Sequence, residues 1–467
     1  MAEKTPPASL SQPGRDNNEK TGSVFTLDNF SSRAELTEKG LQYEDDYNPF
    51  ENRDQENSNS TMGSLAHLLK SSLGSGILAM PMAFKNAGLL FGLLGTVIVG
   101  FLCTHCVHIL VKTSHQICKD IRVPCLGFAE TAEKVFENGP KIVRPWSNFA
   151  KQFVDGSLMA TYFAASCVYI VFIATSLHDV VNYDLNLDWD VRIYIVFTLI
   201  PILFLGQIRN LKWLVPFSAT ANVFIIVTFA ITLYYMFNVE LHFDDKPLFA
   251  QVHTLPLFFA TVIFAMEGIG VVMPVENTMK KPQHFLGCPG VLNTAMITVI
   301  ILYATIGFFG YVRYGDKILG SITLNLKEGE PLADTAKLLM AIAILFTYGL
   351  QFFVPMDILW RKIQHKIPEN RHNITQFVLR SGIIFITGGI AAGVPKLEPF
   401  ISLVGAVFFS LLGLFVPSFV ETVYLYPDRL GPYKVILLKN VVLGLFAIFA
   451  LISGAAVSIE EIIKFYS

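Results

Sequence analysis

The chain has 467 residues, of which 52% are hydrophobic, 13% aromatic and only 15% charged, with a formal net charge of −2. Its 39 phenylalanines beside so little charge leave too little polar surface to clothe a water-soluble fold of this size, so the solvent is lipid. The near-neutral charge offers no basic field for nucleic acid, and six cysteines in a chain this long are not a disulfide framework.

Residues 1–60 carry Pro, Asn, Ser, Asp, Glu and Lys without an apolar run and read as a disordered tail. They lack the basic start, apolar middle and small-residue cleavage site of a signal peptide, so the first hydrophobic segment is expected to be retained. Within the tail, Tyr47-Asn48-Pro49-Phe50 fits both a tyrosine-plus-bulky-apolar endocytic signal and an Asn-Pro-Phe motif that an adaptor can read, although four-residue matches also arise by chance.

Windows of about 20 apolar residues, the length that crosses a hydrocarbon core, fall at 65–84, 87–112, 152–177, 191–207, 213–237, 252–275, 290–313, 335–358, 374–394, 398–424 and 434–456. Lys and Arg concentrate in alternate loops, including Lys119, Arg122, Lys141, Arg209, Lys212, Lys280, Lys281, Arg361 and Lys362. The positive-inside rule therefore places the N-terminus in the cytoplasm and the 457–467 tail on the extracellular or luminal side. On this topology the sequon Asn373-Ile374-Thr375 is cytoplasmic, like Asn29-Phe30-Ser31, and neither is expected to be glycosylated. All six cysteines fall in spans or cytoplasmic loops, so no luminal disulfide is expected.

The first and sixth spans echo one another: Gly74-Ser75-Gly76-Ile77-Leu78-Ala79-Met80-Pro81 against Gly268-Ile269-Gly270-Val271-Val272-Met273-Pro274. Gly costs about 1 kcal/mol in a helix interior and Pro about 3, so each cluster predicts a broken helix at mid-membrane. Freed backbone at that depth is tolerated where it lines a cavity or is buried in protein. Five spans separate the breaks, which predicts two inverted five-helix halves, 61–240 and 250–424, followed by an eleventh helix at 434–456. The competing reading of such glycines is close helix packing.

A broken helix exposes N–H groups at one end and C=O groups at the other, the pair of partners an amino acid zwitterion needs. The amides around Gly74, Ser75, Gly76 and Ile77 suit a carboxylate, and the carbonyls around Phe264, Ala265, Met266 and Gly268 suit an ammonium. Phe264 is placed to close over a substrate, or it is one core phenylalanine among many. Glu267 touches the second break and either carries a proton or hydrogen-bonds the opened backbone. His67, two turns before Gly74, suits proton coupling or an interfacial position. Tyr169 and Tyr348 are the pocket-lining aromatics expected from spans three and eight. No enzyme motif, nucleotide module or metal-spaced cysteine set occurs, so no cofactor beyond a coupling proton is expected.

The run His67-Leu68-Leu69-Lys70 with Gly74-Ser75-Gly76-Ile77-Leu78-Ala79-Met80-Pro81 and Lys85-Asn86-Ala87-Gly88 resembles the first helix of the proton-coupled amino acid transporters, within the amino acid/auxin permeases. Phe264 to Asn277 with Lys280-Lys281-Pro282 is similar to their sixth helix, and Tyr348 to Asp357 to their eighth. The resemblance implies an all-α integral membrane protein of eleven helices in a LeuT-type 5+5 inverted repeat, with helices 1 and 6 discontinuous. It implies symport of protons with small neutral amino acids such as glycine, alanine and proline, with His67 in proton coupling. Family members often carry Gly-Thr-Gly where this chain has Gly74-Ser75-Gly76. Insect members can act mainly as nutrient sensors, which brings in nutrient-signalling partners and an amino acid sensor with little flux as the alternative, beside a sodium-coupled carrier on the same fold. The plasma membrane and endolysosomal membranes are the expected locations.

Overall fold

The computed structural model describes residues 47–53, 58–72, 74–241, 243, 245–266 and 268–467. Among them the secondary structure is helical, and the one strand-like contact is an isolated bridge between Asn59 and Met279. Helix α1 (Thr61–Ser72) is followed by α2 (Ser75–Ala87), and α3 (Leu89–Ile121) follows after a single glycine. Then comes α4 (Phe128–Asn138), short and amphipathic, which buries Phe128, Ala132, Val135 and Phe136 at helical spacing. The long α5 (Ser147–Leu185) leads to α6 (Val191–Gly206) and α7 (Leu211–Phe237). A second interrupted helix is α8 (Leu255–Ala265) with α9 (Ile269–Asn277). The chain continues through α10 (Val291–Tyr314), α11 (Pro331–Ile363), α12 (His372–Gly393) and α13 (Leu397–Val404). Two π-helical turns, Gly405–Phe409 and Leu411–Phe415, carry α13 into α14 (Val416–Leu425), and α15 (Val435–Tyr466) ends the chain.

Nine helical runs among the described residues are long and apolar enough to cross a membrane. Two of the predicted windows fall outside that count for physical reasons. The 191–207 window is α6, a helix of 16 residues, and the 65–84 window is divided between α1 and α2. The core is built where α2, α8 and α10 meet and where α11 packs on α5 and α7, with Met80, Phe84, Phe258, Tyr303 and Phe352 fully buried. Helices α7, α12 and α15 turn large apolar side chains outward, among them Ile226, Phe385, Ile386, Leu438 and Leu445, as lipid-facing helices do.

The two interrupted helices run antiparallel to one another. Thr254 Oγ1, at the start of α8, donates to the Asn86 carbonyl at the end of α2 at 2.8 Å, and the Ala250 N–H donates to the Ala87 carbonyl at 2.8 Å. At the other face the Asn59 N–H donates to the Thr278 carbonyl at 2.7 Å and the Lys280 N–H to the Asn59 carbonyl at 2.8 Å, so α1 begins where α9 ends.

One expectation is corrected at this face. The sequence leaves residues 1–60 without structure, yet residues 47–53 pack against the bundle. Pro49 is buried, the Phe50 ring meets His115 edge-on at 4.9 Å, and Arg53 pairs with Glu276 at 2.9 Å. An ion pair and one aromatic hold this segment, and neither leaves a hydrophobic run for a sequence window to find. Residues 1–46, with Asn29, lie outside the described residues. All six cysteines are free thiols.

Candidate functional site

Four helix ends meet at mid-bundle. α1 and α8 terminate at Ser72 and Ala265, while α2 and α9 start after Gly74 and Gly268. The backbones touch at Gly76, where a Cβ would stand 2.8 Å from the Ala265 Cα, closer than a methyl and a backbone carbon approach. Gly268 faces Ser72, whose Oγ would lie 3.8 Å from a Cβ there. The sequence clusters Gly74 to Ile77 and Phe264 to Gly268 are therefore brought together, with Ile77, Ala265 and Met266 buried. The arrangement sets partly positive N-terminal amides beside partly negative C-terminal carbonyls in a space sheltered from water.

Tyr303 of α10 joins the two carbonyl ends. It is fully buried, and its hydroxyl donates to the Ala265 carbonyl at 2.9 Å and also contacts the Ser72 carbonyl. No motif marks this residue in the sequence; the one available signal is a hydroxyl-bearing side chain in the middle of a long apolar helix.

Other predicted residues take different places. The Phe264 ring packs against Phe409 at 5.6 Å, in the wall formed by the π-helical turns. Tyr348 is fully buried between α5 and α12, stacked on Phe352 at 5.6 Å with its hydroxyl toward Thr387. Tyr169 is partly buried in the core of α5. His67 is half-buried on α1, and Lys70, one turn on, bonds Ser218 of α7 at 2.9 Å. Glu267 lies outside the described residues.

A cavity of about 260 Å³ reaches the second break from the face that carries residues 47–60. Its deep end is lined by Tyr162, Gly270, Met273 and Pro274, its mouth by Lys151, Asp155, Asp357 and Lys362. Ion pairs brace the mouth: Lys362 with Asp155 at 2.9 Å joins α11 to α5, and Lys151 with Glu133 at 2.7 Å joins α5 to α4. At Gly270 a Cβ would lie 2.5 Å from the Tyr162 hydroxyl, so α9 and α5 close directly on one another there. Tyr162 escapes a motif search, but it stands two turns before Tyr169 on the same helix face. A smaller apolar cavity of about 130 Å³ touches the first break through Gly74 and Ile77, with Phe229, Leu302 and Met340 opposite. Among the described residues no group of three or more His, Cys, Asp or Glu converges on a metal position.

A bundle of membrane-crossing helices with two antiparallel broken helices at its centre, and a polar-mouthed cavity leading to one break, defines a multi-pass membrane protein built around a central site. The comparisons give the class a family. A family model described as transmembrane amino acid transporter protein matches residues 57–459. The chain is 40% identical over 422 residues to the proton-coupled amino acid transporter-like protein pathetic of Drosophila melanogaster, covering 90% of this chain and 89% of that one. It is 26% identical over 412 residues to the probable amino acid transporter skat-1 of Caenorhabditis elegans, covering 86% and 89%. The chain belongs to the transmembrane amino acid transporter family, and within it to the proton-coupled amino acid transporters. It is a transporter and not an enzyme.

Proposed function

We propose that the chain is a secondary active symporter that moves small neutral amino acids of the glycine, alanine and proline class into the cytosol with protons, by alternating access. The observation that carries this reading is the meeting of four helix ends around Gly76 and Ala265, which offers amides and carbonyls to the two charges of a zwitterion at one place. The antiparallel course of the two broken helices supports an eleven-span, LeuT-type 5+5 inverted repeat. With the N-terminus cytoplasmic, the cavity under Gly270 is an inward-facing exit path. His67 and Glu267 are the proton-coupling residues in this reading, at the plasma membrane or an endolysosomal membrane.

The test is uptake of labelled glycine, alanine and proline into proteoliposomes, with proton and Na⁺ gradients imposed separately and His67→Ala in parallel. Accumulation driven by protons alone and lost in the variant is the expected result. Accumulation that needs Na⁺ would make the chain a sodium-coupled carrier.

A sensor with little flux is the second reading, and the docking of residues 47–53 on the end of α9 favours it, because that contact can report the state of the broken helix to the tail. Saturable binding without accumulation would select it. In either reading Tyr47, Asn48, Pro49 and Phe50 are proposed as an adaptor-binding segment that works only when released from the bundle.

A further inference from the structure

Lys337 of α11 is fully buried, and its Nζ has no hydrogen-bond partner among the described residues. Buried charges are paired or hydrogen-bonded as a rule, so this amine marks a place that an anion completes. Helix phase turns Lys337 inward: Leu332, Thr335 and Ile342 on the opposite side of α11 are exposed, whereas Lys337, Met340, Ala341 and Ile344 are buried. Its neighbours along the helix fix its depth. The Ala336 carbonyl accepts from Thr228 Oγ1 of α7 at 3.4 Å, and both Thr228 and Met340 line the apolar cavity that touches Gly74 and Ile77 at the first break. Lys337 therefore stands level with the N-terminus of α2, on the interior side of α11. Asp334, one turn earlier, is the acid that the helix itself offers to Lys337. The two do not satisfy one another, because Asp334 Oδ1 is also without a hydrogen-bond partner. Asp334 accepts from the Gly329 backbone instead and feels the charge of Asp184 on α5.

We infer that the Lys337 ammonium binds the substrate carboxylate together with the N-terminal amides of α2, and so makes a carboxylate a requirement for recognition. The inference rests on the symport reading above and adds a side chain to it. Helix α2 is 13 residues long and presents unpaired N–H groups and the partly positive pole of its dipole at its start. These orient an anion but carry no full charge. A zwitterion that enters a site sheltered from water gives up hydration at both of its ends. The carbonyl ends of α1 and α8 meet the ammonium, and Lys337 gives the carboxylate a charge-assisted hydrogen bond. The lysine gains in return the anionic partner that no described residue supplies, so binding relieves a cost in the protein as well as in the ligand.

Inhibition of labelled alanine uptake into proteoliposomes tests this, with two competitors: unlabelled L-alanine, and L-alaninamide, which keeps the ammonium and lacks the carboxylate. Wild type, Lys337→Met and Asp334→Asn are compared. Lys337→Met is expected to weaken alanine about tenfold and to leave alaninamide within about twofold. It should melt no lower than wild type, because an apolar chain of similar length replaces an unpaired buried charge. Asp334→Asn should leave both competitors unchanged. Equal weakening of both competitors in Lys337→Met, or of neither, overturns the inference. A loss in Asp334→Asn that matches the one in Lys337→Met overturns it as well, since the two residues would then act as an ion pair. Lys337→Gln is read in the same way if Lys337→Met does not reach the membrane. Should no amino acid accumulate under any gradient, the symport reading fails, and the melting midpoint of the purified protein then carries the test. Stabilisation by alanine that is present in wild type and lost in the Lys337 variant supports the carboxylate site. Equal stabilisation of both proteins, or none in wild type, refutes it.

Discussion

Arg53 forks onto Glu276, its two terminal nitrogens 2.9 and 3.3 Å from the two carboxylate oxygens, and so ties the end of the N-terminal tail to the end of α9. His115 of α3 contacts the same carboxylate at 2.7 Å, and the Arg53 Nε–H donates to the Pro124 carbonyl at 3.0 Å. The tail and α3 thus converge on one carboxylate of α9, whose side chain is 1% exposed. Breaking a buried pair from one side strands the other charge, at a cost of roughly 3–5 kcal/mol. Arg53→Ala is expected to lower the melting temperature sharply, by about 3 kcal/mol of stability once His115 is counted as a remaining partner. Adding Glu276→Gln removes the stranded charge and should recover part of the loss. A double variant whose melting temperature falls by the sum of the two single effects would show that the pair is not coupled.

Gly270 and Tyr162 close the deep end of the polar cavity by direct contact. A methyl at Gly270 would sit 2.5 Å from the Tyr162 oxygen and 3.2 Å from the ring carbon that bears it. Gly270→Ala is expected to cut the maximal uptake rate more than about tenfold, because overpacking here costs about 1–3 kcal/mol. Tyr162→Phe removes the nearer of the two collisions. The double variant should therefore transport better than Gly270→Ala alone, as read by initial rates at matched surface abundance; equal rates would place the defect elsewhere.

Gly76 gives the opposite pattern. Its would-be Cβ meets the Ala265 backbone, with Cα at 2.8 Å and the carbonyl oxygen at 3.0 Å, and backbone cannot rotate out of the way. Gly76→Ala should force the two broken helices apart and lower both stability and uptake. No single side-chain truncation on α8 is expected to restore them. Surface abundance together with initial uptake rate measures this, and a wild-type phenotype would mean that the two backbones are further apart than 2.8 Å contact requires.

The backbone part of the site was legible because glycine and proline announce themselves: Gly74, Gly76, Gly268 and Gly270 mark both breaks, and the helices end within a residue or two of them. What packs around the breaks was not legible. Tyr303 and Tyr162 are single aromatics in apolar helices, and only the relative rotation of α10 and α5 decides that they face the breaks while Tyr348 faces α12. Phe264 shares its sequence position with the break but is turned toward Phe409 by helix phase. The tail contact was hidden for a different reason. Composition identifies chains too polar to form their own core, but it says nothing of a polar segment that borrows a partner from a helix more than 200 positions away, as Arg53 does from Glu276.

The same contact sets a prediction for the tail motif. Pro49 is buried, the Phe50 ring lies edge-on to His115 at 4.9 Å, and the Arg53 guanidinium covers that ring at 5.5 Å from its centre. An adaptor that reads Tyr47 or Phe50 needs the side chains now turned into the bundle, so docking and adaptor binding exclude each other. Arg53→Ala frees the segment while leaving the four motif residues unchanged, and internalisation of surface-labelled protein should accelerate. Phe50→Ala frees it too but removes the anchor an adaptor would grip, so it should internalise no faster than wild type. Adding Phe50→Ala to Arg53→Ala should cancel the acceleration. If Arg53→Ala and wild type internalise at one rate, the segment serves as a brace for α9 and the motif has no sorting role.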